Sequence, residues 1–286
     1  MSTILLIGRN GQVGWELQRT LAPLGKLIAF DRHALDLADA DAIRAAIRSI
    51  HPDIIVNAAA YTAVDKAESE TEKAFAISIN GKAPGIMAEE ARSTGAWLVH
   101  YSTDYVFDGT KNTAYEEGDT PNPLNVYGRS KLAGEQAIQA VGGRYTILRT
   151  SWVYGRRGKN FLNTILRLAQ EKEELRIVAD QFGAPTWSRM IAEATAAILA
   201  RKDQTAGLFH LTSSGETSWH GFTQAILELT QTQRSRNPKL SAIPASEYPL
   251  PAARPWNSRL SCERLAKETD LRLPDWREAL ALCLAE

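Results

Sequence analysis

Tyr127 and Lys131 form the pair of residues whose types and spacing are best suited to chemistry. Residues at i and i+4 share a helix face, and the sequence predicts a helix from about residue 127 to residue 141. A tyrosine titrates near pH ~10, but a fixed neighbouring cation favours the phenolate and lowers that pKa. Such a pair is able to give a proton to a carbonyl oxygen or take one from a hydroxyl. Because the spacing is common by chance, this interpretation depends on the elements that would position the pair.

A glycine-rich loop follows the first predicted strand. Residues 3–7 are an apolar, mostly branched run typical of a strand buried on both faces, and Gly8, Gly11 and Gly14 come directly after it. A helical pattern then continues to about residue 24. Glycines here let the backbone turn tightly and approach a pyrophosphate, whose charge lies at the helix N-terminus. A GxxGxxG pattern alone also fits a flexible turn, but the order strand, loop, helix predicts a dinucleotide site.

The second predicted strand, residues 27–30, ends at Asp31. A dinucleotide fold places an acidic residue here to bind the ribose hydroxyls, although Asp31 taken alone also fits a turn or cap. The next residue, Arg32, suits a ribose phosphate instead, because a guanidinium pairs well with phosphate. The two signals conflict, so the sequence leaves the choice between a phosphorylated and an unphosphorylated dinucleotide open.

Two further predicted strands deliver polar residues to the same edge of the sheet. Residues 53–56 lead into Asn57 and three alanines, whose small side chains allow a flat ligand to approach, and residues 97–101 lead towards Thr103. Open α/β sheets bind ligands at the carboxyl ends of their strands. Thr103 is therefore a candidate partner of Tyr127, although a strand-end hydroxyl that binds the backbone fits equally. Asn80, in a helical pattern over residues 70–94, is either a polar link between helix and strand or an exposed residue.

The alternation of strands and helices predicts an α/β fold, a Rossmann-like doubly wound parallel sheet with a smaller C-terminal α/β substrate domain. Regular alternation stops near residue 150. We expect residues 1–150 to form the dinucleotide-binding domain and residues 151–286 to be mainly a substrate domain, with some elements returning to the first. The predicted elements there are helices at 160–170, 188–200 and 276–284 and strands at 175–179 and 208–211.

Composition narrows the class of protein. The 286 residues are 44% hydrophobic, enough for a substantial core, and 33 basic side chains balance 33 acidic ones. This balance argues against a nucleic acid or membrane-surface partner and favours a small-molecule substrate. Cys262 and Cys283 are too few for a disulfide framework and lack zinc-ligand spacing, which fits a reducing cytoplasm. No run reaches ~18 apolar residues and no leader pattern precedes the first strand.

Together these motifs resemble the extended short-chain dehydrogenase/reductase family over about residues 3–150. Further segments are similar to those of the family of dTDP-4-dehydrorhamnose reductases, and the resemblance then covers nearly the whole chain. These segments are YSTDYVF (101–107), NVYG (125–128), RTSWVY (149–154), DQFGAPT (180–186) and RPWNSRL (254–260). The resemblance implies that NADPH or NADH reduces the 4-keto group of dTDP-4-dehydro-6-deoxy-L-mannose to give dTDP-L-rhamnose, the last step in making that sugar donor.

The resemblance also implies residue roles. Tyr127 would protonate the oxygen that gains charge as hydride arrives, and Thr103 would hydrogen-bond the same oxygen. Lys131 would hold the nicotinamide ribose and lower the tyrosine pKa. Asp104 and Trp152 would contact the nucleotide-sugar, although the Trp152 ring equally suits core packing. The implied cofactor-binding residues are Gly8, Gly11, Gln12, Val13, Gly14, Asp31, Arg32, Ala60, Tyr61, Thr62, Tyr101, Tyr127 and Lys131.

One departure from the family pattern concerns magnesium. Some members are described with a magnesium-bridged dimer that uses a glutamate on the first helix, matched here by Glu16, and another after the Pro-Thr of the DQxGxPT loop. At the second place this sequence has Arg189. Magnesium is therefore doubtful, no metal site is predicted, and a homodimer stays open without that bridge.

Two rival functions remain. A nucleotide-sugar dehydratase or epimerase shares this fold, and the dehydratases carry Asp-Glu after the threonine, whereas here Asp104 is followed by Tyr105. That difference favours a reductase. The second rival is a non-catalytic regulatory subunit, because the fold resembles the regulatory subunit of methionine adenosyltransferase. An intact Thr103, Tyr127 and Lys131 favour an enzyme.

Overall fold

The computed structural model describes residues 2–201, 206–234 and 236–286. Strands and helices alternate through the first half of the chain. The strands are β1 (Ser2–Ile7), β2 (Gly25–Phe30), β3 (Ile54–Asn57), β4 (Trp97–Thr103), β5 (Tyr145–Thr150), β6 (Val153–Tyr154), β7 (Glu174–Val178), β8 (Phe182–Gly183), β9 (Thr186–Trp187), β10 (Gly207–His210), β11 (Thr217–Ser218) and β12 (Lys239–Ile243). The α-helices are α1 (Gln12–Thr20), α2 (Ala40–Ile50), α3 (Glu70–Ile77), α4 (Ala83–Thr94), α5 (Val126–Val141), α6 (Phe161–Glu171), α7 (Ser188–Ala200), α8 (Trp219–Leu229), α9 (Glu263–Thr269) and α10 (Trp276–Leu284).

The central sheet has six parallel strands in the order β10-β5-β4-β3-β1-β2. From β1 the chain goes first to β2 on one side and then to β3 on the other, so the strand order reverses at β1. A reversal of this kind opens a crevice at the carboxyl ends of the strands, where such sheets bind ligands. The predicted Rossmann-like, doubly wound fold is confirmed.

Both faces of the sheet are covered by helices, which explains the continuous apolar run of β1. Ile4 and Leu6 pack on the face covered by α1 and α7, whereas Leu5 and Ile7 pack on the face covered by α2 and α4. Successive strand residues point to opposite faces, so an apolar residue is needed at every position. Helix α7 and strand β10 come from the second half of the chain yet belong to this layer.

A π-helical turn over Ser78–Lys82 separates α3 from α4, where the sequence pattern predicted one uninterrupted helix. Asn80 lies in this turn and is buried. Its side chain accepts a hydrogen bond from the Tyr61 amide at 2.9 Å, donates to the Tyr61 carbonyl at 2.9 Å, and donates to the Ser130 hydroxyl at 3.0 Å. The polar link between helix and sheet edge is therefore the correct alternative for Asn80.

The remaining elements of the second half surround a core of their own. Helices α6, α8 and α10 bury Leu162, Phe222 and Leu280 against Tyr154 and Trp187. Strand β12 pairs with β7, a partnership that sequence periodicity did not predict, and α8 and α9 were also not predicted. The predicted helices at 188–200 and 276–284 are confirmed with those bounds. Among the described residues no helix is long and apolar enough to span a membrane.

Candidate active site

Helix α5 begins at a cap that fixes the position of Tyr127. The Asn125 side chain accepts a hydrogen bond from the Gly128 amide at 2.7 Å and donates to the Ala253 carbonyl at 2.8 Å. A Cβ on Gly128 would lie 2.1 Å from the Tyr105 carbonyl oxygen, so only glycine lets the helix approach the turn after β4 this closely. The cap and the close approach together bring Tyr127 to the carboxyl end of β4.

Tyr127 is half-buried, and its ring packs edge-on against Tyr105 with 5.9 Å between ring centroids. Burial, followed by the neighbouring Asp104 carboxylate, raises the pKa of Tyr127 to about 12, while the Thr103 hydroxyl opposes this rise. The sequence predicted a lowered pKa from the lysine cation. In the structure burial outweighs that effect, so Tyr127 is held as a neutral phenol with a proton to donate.

Thr103 ends β4 and is buried together with Asp104. Its hydroxyl donates to Asp104 Oδ1 at 3.0 Å and accepts a hydrogen bond from the Tyr105 amide at 3.2 Å. Asp104 Oδ2 is buried without a hydrogen-bond partner in the described part of the chain. Burial raises the pKa of Asp104 to about 6. This oxygen is suited to accept a hydrogen bond from a ligand hydroxyl, because such an acceptor is costly to leave unpaired.

Lys131 lies one helical turn after Tyr127 and is buried. Its Nζ donates to the Tyr101 carbonyl at 2.6 Å and lies 3.2 Å from His100 Nε2. Burial lowers the pKa of Lys131 to about 8, while the charge of Glu135 opposes this shift. An amine with such a pKa is able to change its protonation state near neutral pH.

The glycine loop packs against the end of β3. Gly8 has φ +91°, and a Cβ there would lie 2.6 Å from the Ala59 amide nitrogen. A Cβ on Gly14 would lie 2.1 Å from the Gly8 carbonyl oxygen. Gly11 precedes α1 without a side-chain cap, so the amides of the first turn are free of a capping side chain. These features fit a dinucleotide pyrophosphate, which binds through backbone N–H groups at such a loop.

Asp31 lies beside this loop but is engaged by protein groups. Arg9 donates to its Oδ2 through Nε at 3.2 Å and Nη2 at 2.9 Å, and Asn10 donates to the same oxygen at 3.2 Å. The backbone hydrogen bond from Ala34 and the bond from Arg9 hold the pKa of Asp31 below its usual range. Arg32 instead places its guanidinium 5.2 Å from the centre of the Phe75 ring.

Four other predicted cofactor-binding residues make hydrogen bonds or packing contacts with neighbouring elements. Gln12 Oε1 accepts a hydrogen bond from Asn160 at 2.8 Å, and Val13 packs against the core. Tyr61 is held by its backbone to Asn80 and has a buried hydroxyl without a partner in the described residues. Tyr101 turns its side chain into the core, where its hydroxyl lies 2.7 Å from Thr195, so it faces Lys131 through its carbonyl.

Ala60 and Thr62 flank Tyr61 directly after β3. Thr62 is exposed and Ala60 is partly buried. Both lie at the carboxyl edge of the sheet with the glycine loop, where a bound dinucleotide would run past them.

Trp152 has a backbone φ of +48°, a strained value for a residue with a large side chain. Its ring stacks on Trp219 with 3.5 Å between centroids, and Gly183 is so close that a Cβ there would lie 2.7 Å from the Trp152 ring. Trp152 therefore packs among residues of the second half of the chain. Backbone strain of this kind is often kept at ligand sites.

Arg189 forms salt bridges within the chain. Its Nε and Nη2 each lie 3.3 Å from Glu16 Oε2, and its Nη1 pairs with Glu286. Within the described residues no group of three or more histidine, cysteine or acidic side chains is placed to hold a metal ion.

The family model described as "RmlD substrate binding domain" matches residues 1–286. The dTDP-4-dehydrorhamnose reductase of Burkholderia thailandensis is 49% identical over 99% of this chain and 98% of its own, and that of Escherichia coli K12 is 49% identical over 99% and 97%. The chain belongs to the dTDP-4-dehydrorhamnose reductase family. A Bacillus subtilis relative, "Spore coat polysaccharide biosynthesis protein SpsK", is 39% identical over 100% of this chain and 98% of its own.

Solved structures agree with this dTDP-4-dehydrorhamnose reductase family assignment. The Bacillus anthracis dTDP-4-dehydrorhamnose reductase in complex with NADP superposes with a TM-score of 0.93 at 34% identity, covering 99% of each chain. The Thermus thermophilus UDP-glucose 4-epimerase in complex with NAD has a TM-score of 0.82 at 19% identity, covering 99% of this chain and 98% of its own. The second likeness shows the shared fold alone.

The structure brings Thr103, Asp104, Tyr127 and Lys131 together at one end of the sheet, with the glycine loop at the same edge. Sequence reasoning missed Arg9 as the partner of Asp31, and it missed His100 next to Lys131. A basic residue inside a glycine loop was a signal that could have identified Arg9. For His100 the only available signal was a polar residue within an apolar strand pattern. The strand in question, β4, is buried along its whole length.

Proposed function

We propose that this chain catalyses the NAD(P)H-dependent reduction of the 4-keto group of dTDP-4-dehydro-6-deoxy-L-mannose to dTDP-L-rhamnose, the last step of dTDP-rhamnose biosynthesis. The observation that carries the proposal is the grouping of Thr103, Tyr127 and Lys131 at the end of β4 in a chain 49% identical to two curated reductases. The product is a nucleotide-sugar donor of the kind used for cell-surface polysaccharide.

Each of the three side chains has a role that its surroundings support. Tyr127 is a neutral phenol and donates its proton to the substrate oxygen that gains negative charge. Thr103 hydrogen-bonds that oxygen and so stabilises the developing charge. Lys131 supplies a buried positive charge next to the reacting groups when it is protonated. When bound, the nicotinamide cofactor supplies the hydride.

The residues around the glycine loop fit a nicotinamide dinucleotide. Gly8 and Gly14 let the loop pack closely on its own backbone and on the end of β3, which forms the tight turn that a pyrophosphate needs. Gly11, Gln12 and Val13 lie at the N-terminus of α1, whose first-turn amides have no capping side chain and would bind it. The Bacillus anthracis relative was solved with NADP, which supports NADPH for this chain, with NADH as a second cofactor. The adenosine end would meet Asp31, Arg32 and Arg9, and the nicotinamide end would meet Ala60, Tyr61, Thr62, Tyr101, Tyr127 and Lys131.

The nucleotide-sugar is proposed to lie between the two halves of the chain. Asp104 provides a buried acceptor oxygen that has no partner within the described residues, and Trp152 provides an aromatic surface held in a strained backbone conformation. We therefore propose that residues 1–150 bind the dinucleotide and that residues 151–286 mainly bind the substrate. Helix α7 and strand β10 are the elements of the second part that pack on the first.

The alternative hypothesis, that the chain is a dehydratase, has less support. In that class an acid after Asp104 removes a proton beside the ketone, whereas this chain has Tyr105. Burial raises the pKa of the Tyr105 phenol above its usual value, and its ring packs against Tyr127. The nearby Arg254 guanidinium opposes this rise without cancelling it. A neutral phenol with a raised pKa is a poor base at neutral pH, so this position supports the reductase.

We also propose a cytoplasmic homodimer. Cys262 and Cys283 are free thiols, which suits a reducing compartment. Light scattering of the purified chain would determine its mass, and a monomeric mass at all concentrations would remove the dimer from the proposal.

The decisive experiment is turnover of enzymatically made dTDP-4-dehydrorhamnose with NADPH and NADH compared side by side. We expect cofactor oxidation in step with formation of dTDP-L-rhamnose. The Tyr127→Phe variant serves as the matched blank, because it keeps the ring and lacks the proton. Tight binding of the nucleotide-sugar without any cofactor oxidation would favour the non-catalytic regulatory role.

A further inference from the structure

Three buried polar side chains form a row behind the active site. Asn57 at the end of β3, His100 in β4 and Lys131 in α5 are each 2% exposed or less. Asn57 Nδ2 lies 3.1 Å from His100 Nδ1, and His100 Nε2 lies 3.2 Å from Lys131 Nζ. Both ring nitrogens of His100 are therefore engaged, one towards each neighbour.

The Ala59 amide determines how this row is protonated. That N–H donates to Asn57 Oδ1 at 3.1 Å, so the oxygen of the Asn57 amide faces Ala59 and its nitrogen faces His100. An amide nitrogen only donates, so His100 Nδ1 must accept. A neutral imidazole has one N–H, and here it must be on Nε2, directed at Lys131 Nζ.

An ammonium group has no lone pair and is unable to accept that N–H, whereas an uncharged amine accepts it. Lys131 Nζ would at the same time keep its hydrogen bond to the Tyr101 carbonyl at 2.6 Å. We propose that His100, oriented by Asn57, is a positioning residue that donates its Nε2–H to the uncharged amine of Lys131 and thereby favours that form of the lysine.

The charged groups around this row agree with the proposal. Burial lowers the pKa of Lys131 to about 8, and burial together with the Lys131 charge lowers the pKa of His100 well below its usual range, so the ring stays neutral. The opposing charge is Glu135 on α5, which is itself paired with Arg149 at 2.6 Å. The other titratable groups in these elements and in the turn after β4 are Tyr101, Asp104 and Tyr127.

The value of such a device rests on the proposed reductase function. In that function Lys131 supplies its positive charge only as the ammonium. Because His100 favours the uncharged amine, it lowers the pH at which this charge is lost.

A direct test is ¹⁵N NMR of the histidine rings in the full chain, with His100 assigned by the loss of its signals in His100→Gln. His210 is an internal control, because it is fully buried in the same sheet and its Nδ1 faces the Ser261 carbonyl at 3.2 Å. A carbonyl only accepts, so His210 must carry its proton on Nδ1. We expect opposite tautomers, Nε2–H for His100 and Nδ1–H for His210, from pH 6 to pH 9. An Nδ1–H or doubly protonated His100 in this range would overturn the proposal.

A second test uses the pH profile of kcat/KM. His100→Phe keeps a planar ring and removes the donor to the amine. The alkaline limb of the profile should therefore move to higher pH by about half to one unit, which corresponds to the free energy of one net hydrogen bond. The matched control His210→Phe also removes a buried imidazole and should leave the limb in place. Equal profiles for wild type and a folded His100→Phe would contradict the proposal.

Asn57→Asp is a second variant, and it tests the same proposal if His100→Phe does not fold. A carboxylate accepts from both Ala59 and His100, so it requires the proton on Nδ1 and leaves Nε2 to accept from a Lys131 ammonium. We expect the NMR tautomer of His100 to reverse and the alkaline limb to move up. An unchanged tautomer would reject the proposal. Because the NMR measurement needs no substrate, failure of the reductase assay and failure of this inference are distinguishable.

Discussion

Arg9 and Asp31 are joined by a salt bridge of 2.9 Å at the rim of the glycine loop. The Arg9 side chain is 44% exposed, and that of Asp31 is 13% exposed. Asp31 Oδ1 also accepts the His33 and Ala34 amides, so both of its oxygens are engaged by protein donors. Arg9 donates through Nε and Nη2 to Asp31 and through Nη1 to the Ala29 carbonyl. A guanidinium has five N–H groups, and the other two have no partner among the residues that the structure describes, so they are able to bind a ribose phosphate.

We predict that Arg9→Ala weakens NADPH binding by about 1–3 kcal/mol, the worth of a charge-assisted hydrogen bond, and barely changes NADH binding. Loss of the guanidinium also leaves the Asp31 charge without its arginine partner, and that charge repels a ribose phosphate. Asn10 and the His33 and Ala34 amides still occupy both Asp31 oxygens, so a ribose diol gains little. The two dissociation constants, measured by fluorescence titration, check this.

Arg32→Ala is the matched comparison, because the sequence named Arg32 as the candidate that would bind a ribose phosphate. The structure holds that guanidinium over Phe75, so we expect a smaller loss of NADPH affinity than in Arg9→Ala. A larger loss in Arg32→Ala would show that Arg32 leaves Phe75 when the cofactor binds and that the sequence-based assignment was correct.

Tyr127→Phe should lower turnover by about 10²- to 10⁴-fold, the usual contribution of general acid catalysis. The phenylalanine keeps the edge contact with Tyr105, so cofactor affinity and folding should be unchanged. Tyr105→Phe removes a hydroxyl from the adjacent ring and should cost much less turnover. Similar losses in the two variants would argue against Tyr127 as the proton donor.

The central sheet was predictable because its signal is local. Ile4 and Leu6 on one face of β1, and Leu5 and Ile7 on the other, give a continuous apolar run that predicts a doubly covered strand. The positions of Thr103 and the glycine loop were also predictable, because both come at the ends of predicted strands. The carboxyl ends of parallel strands lie at one edge of the sheet.

Contacts between distant segments were not predictable from periodicity. The pairing of Arg9 with Asp31 joins residues 22 apart, and the pairing of His100 with Lys131 joins residues 31 apart. Asn80 in the π-helical turn hydrogen-bonds Ser130 in α5, and a helical pattern over residues 70–94 gives no sign of this contact or of the interruption. The pKa of Tyr127 depends on burial, which the i, i+4 spacing does not report.

Turnover should be unaffected by EDTA. Arg189 fills the place at which a second glutamate would be needed, and its guanidinium pairs with Glu16 instead. A guanidinium carries a permanent positive charge and no acceptor, so it repels Mg²⁺ and does not ligate it. The check is the initial rate before and after chelation, with added MgCl₂ as the control. Loss of turnover on chelation and recovery with magnesium would contradict this prediction.

Asp104→Asn should stabilise the fold at neutral and alkaline pH while weakening substrate binding. Burial raises the pKa of Asp104 from 3.8 to about 6, so the charged form is disfavoured in the folded state. Wild type therefore loses stability as pH rises from about 4 to about 6 and changes no further above that, whereas the asparagine variant has no such loss. We expect the variant to be more stable by about 1–3 kcal/mol at pH 8, with the difference disappearing near pH ~4. Urea unfolding at several pH values measures this.

Asp108→Asn is the control with the opposite sign. Hydrogen bonds from the Thr110 amide and Asn122 lower the pKa of Asp108, so its charged form stabilises the folded state. That stability is complete above the ordinary carboxyl pKa and is lost as pH falls through the lowered value, so Asp108→Asn should be destabilised equally at pH 6 and pH 8. The Asp104→Asn difference must instead shrink between pH 8 and pH 5. A pH-independent difference in Asp104→Asn would show that the buried carboxylate is compensated by partners such as bound water.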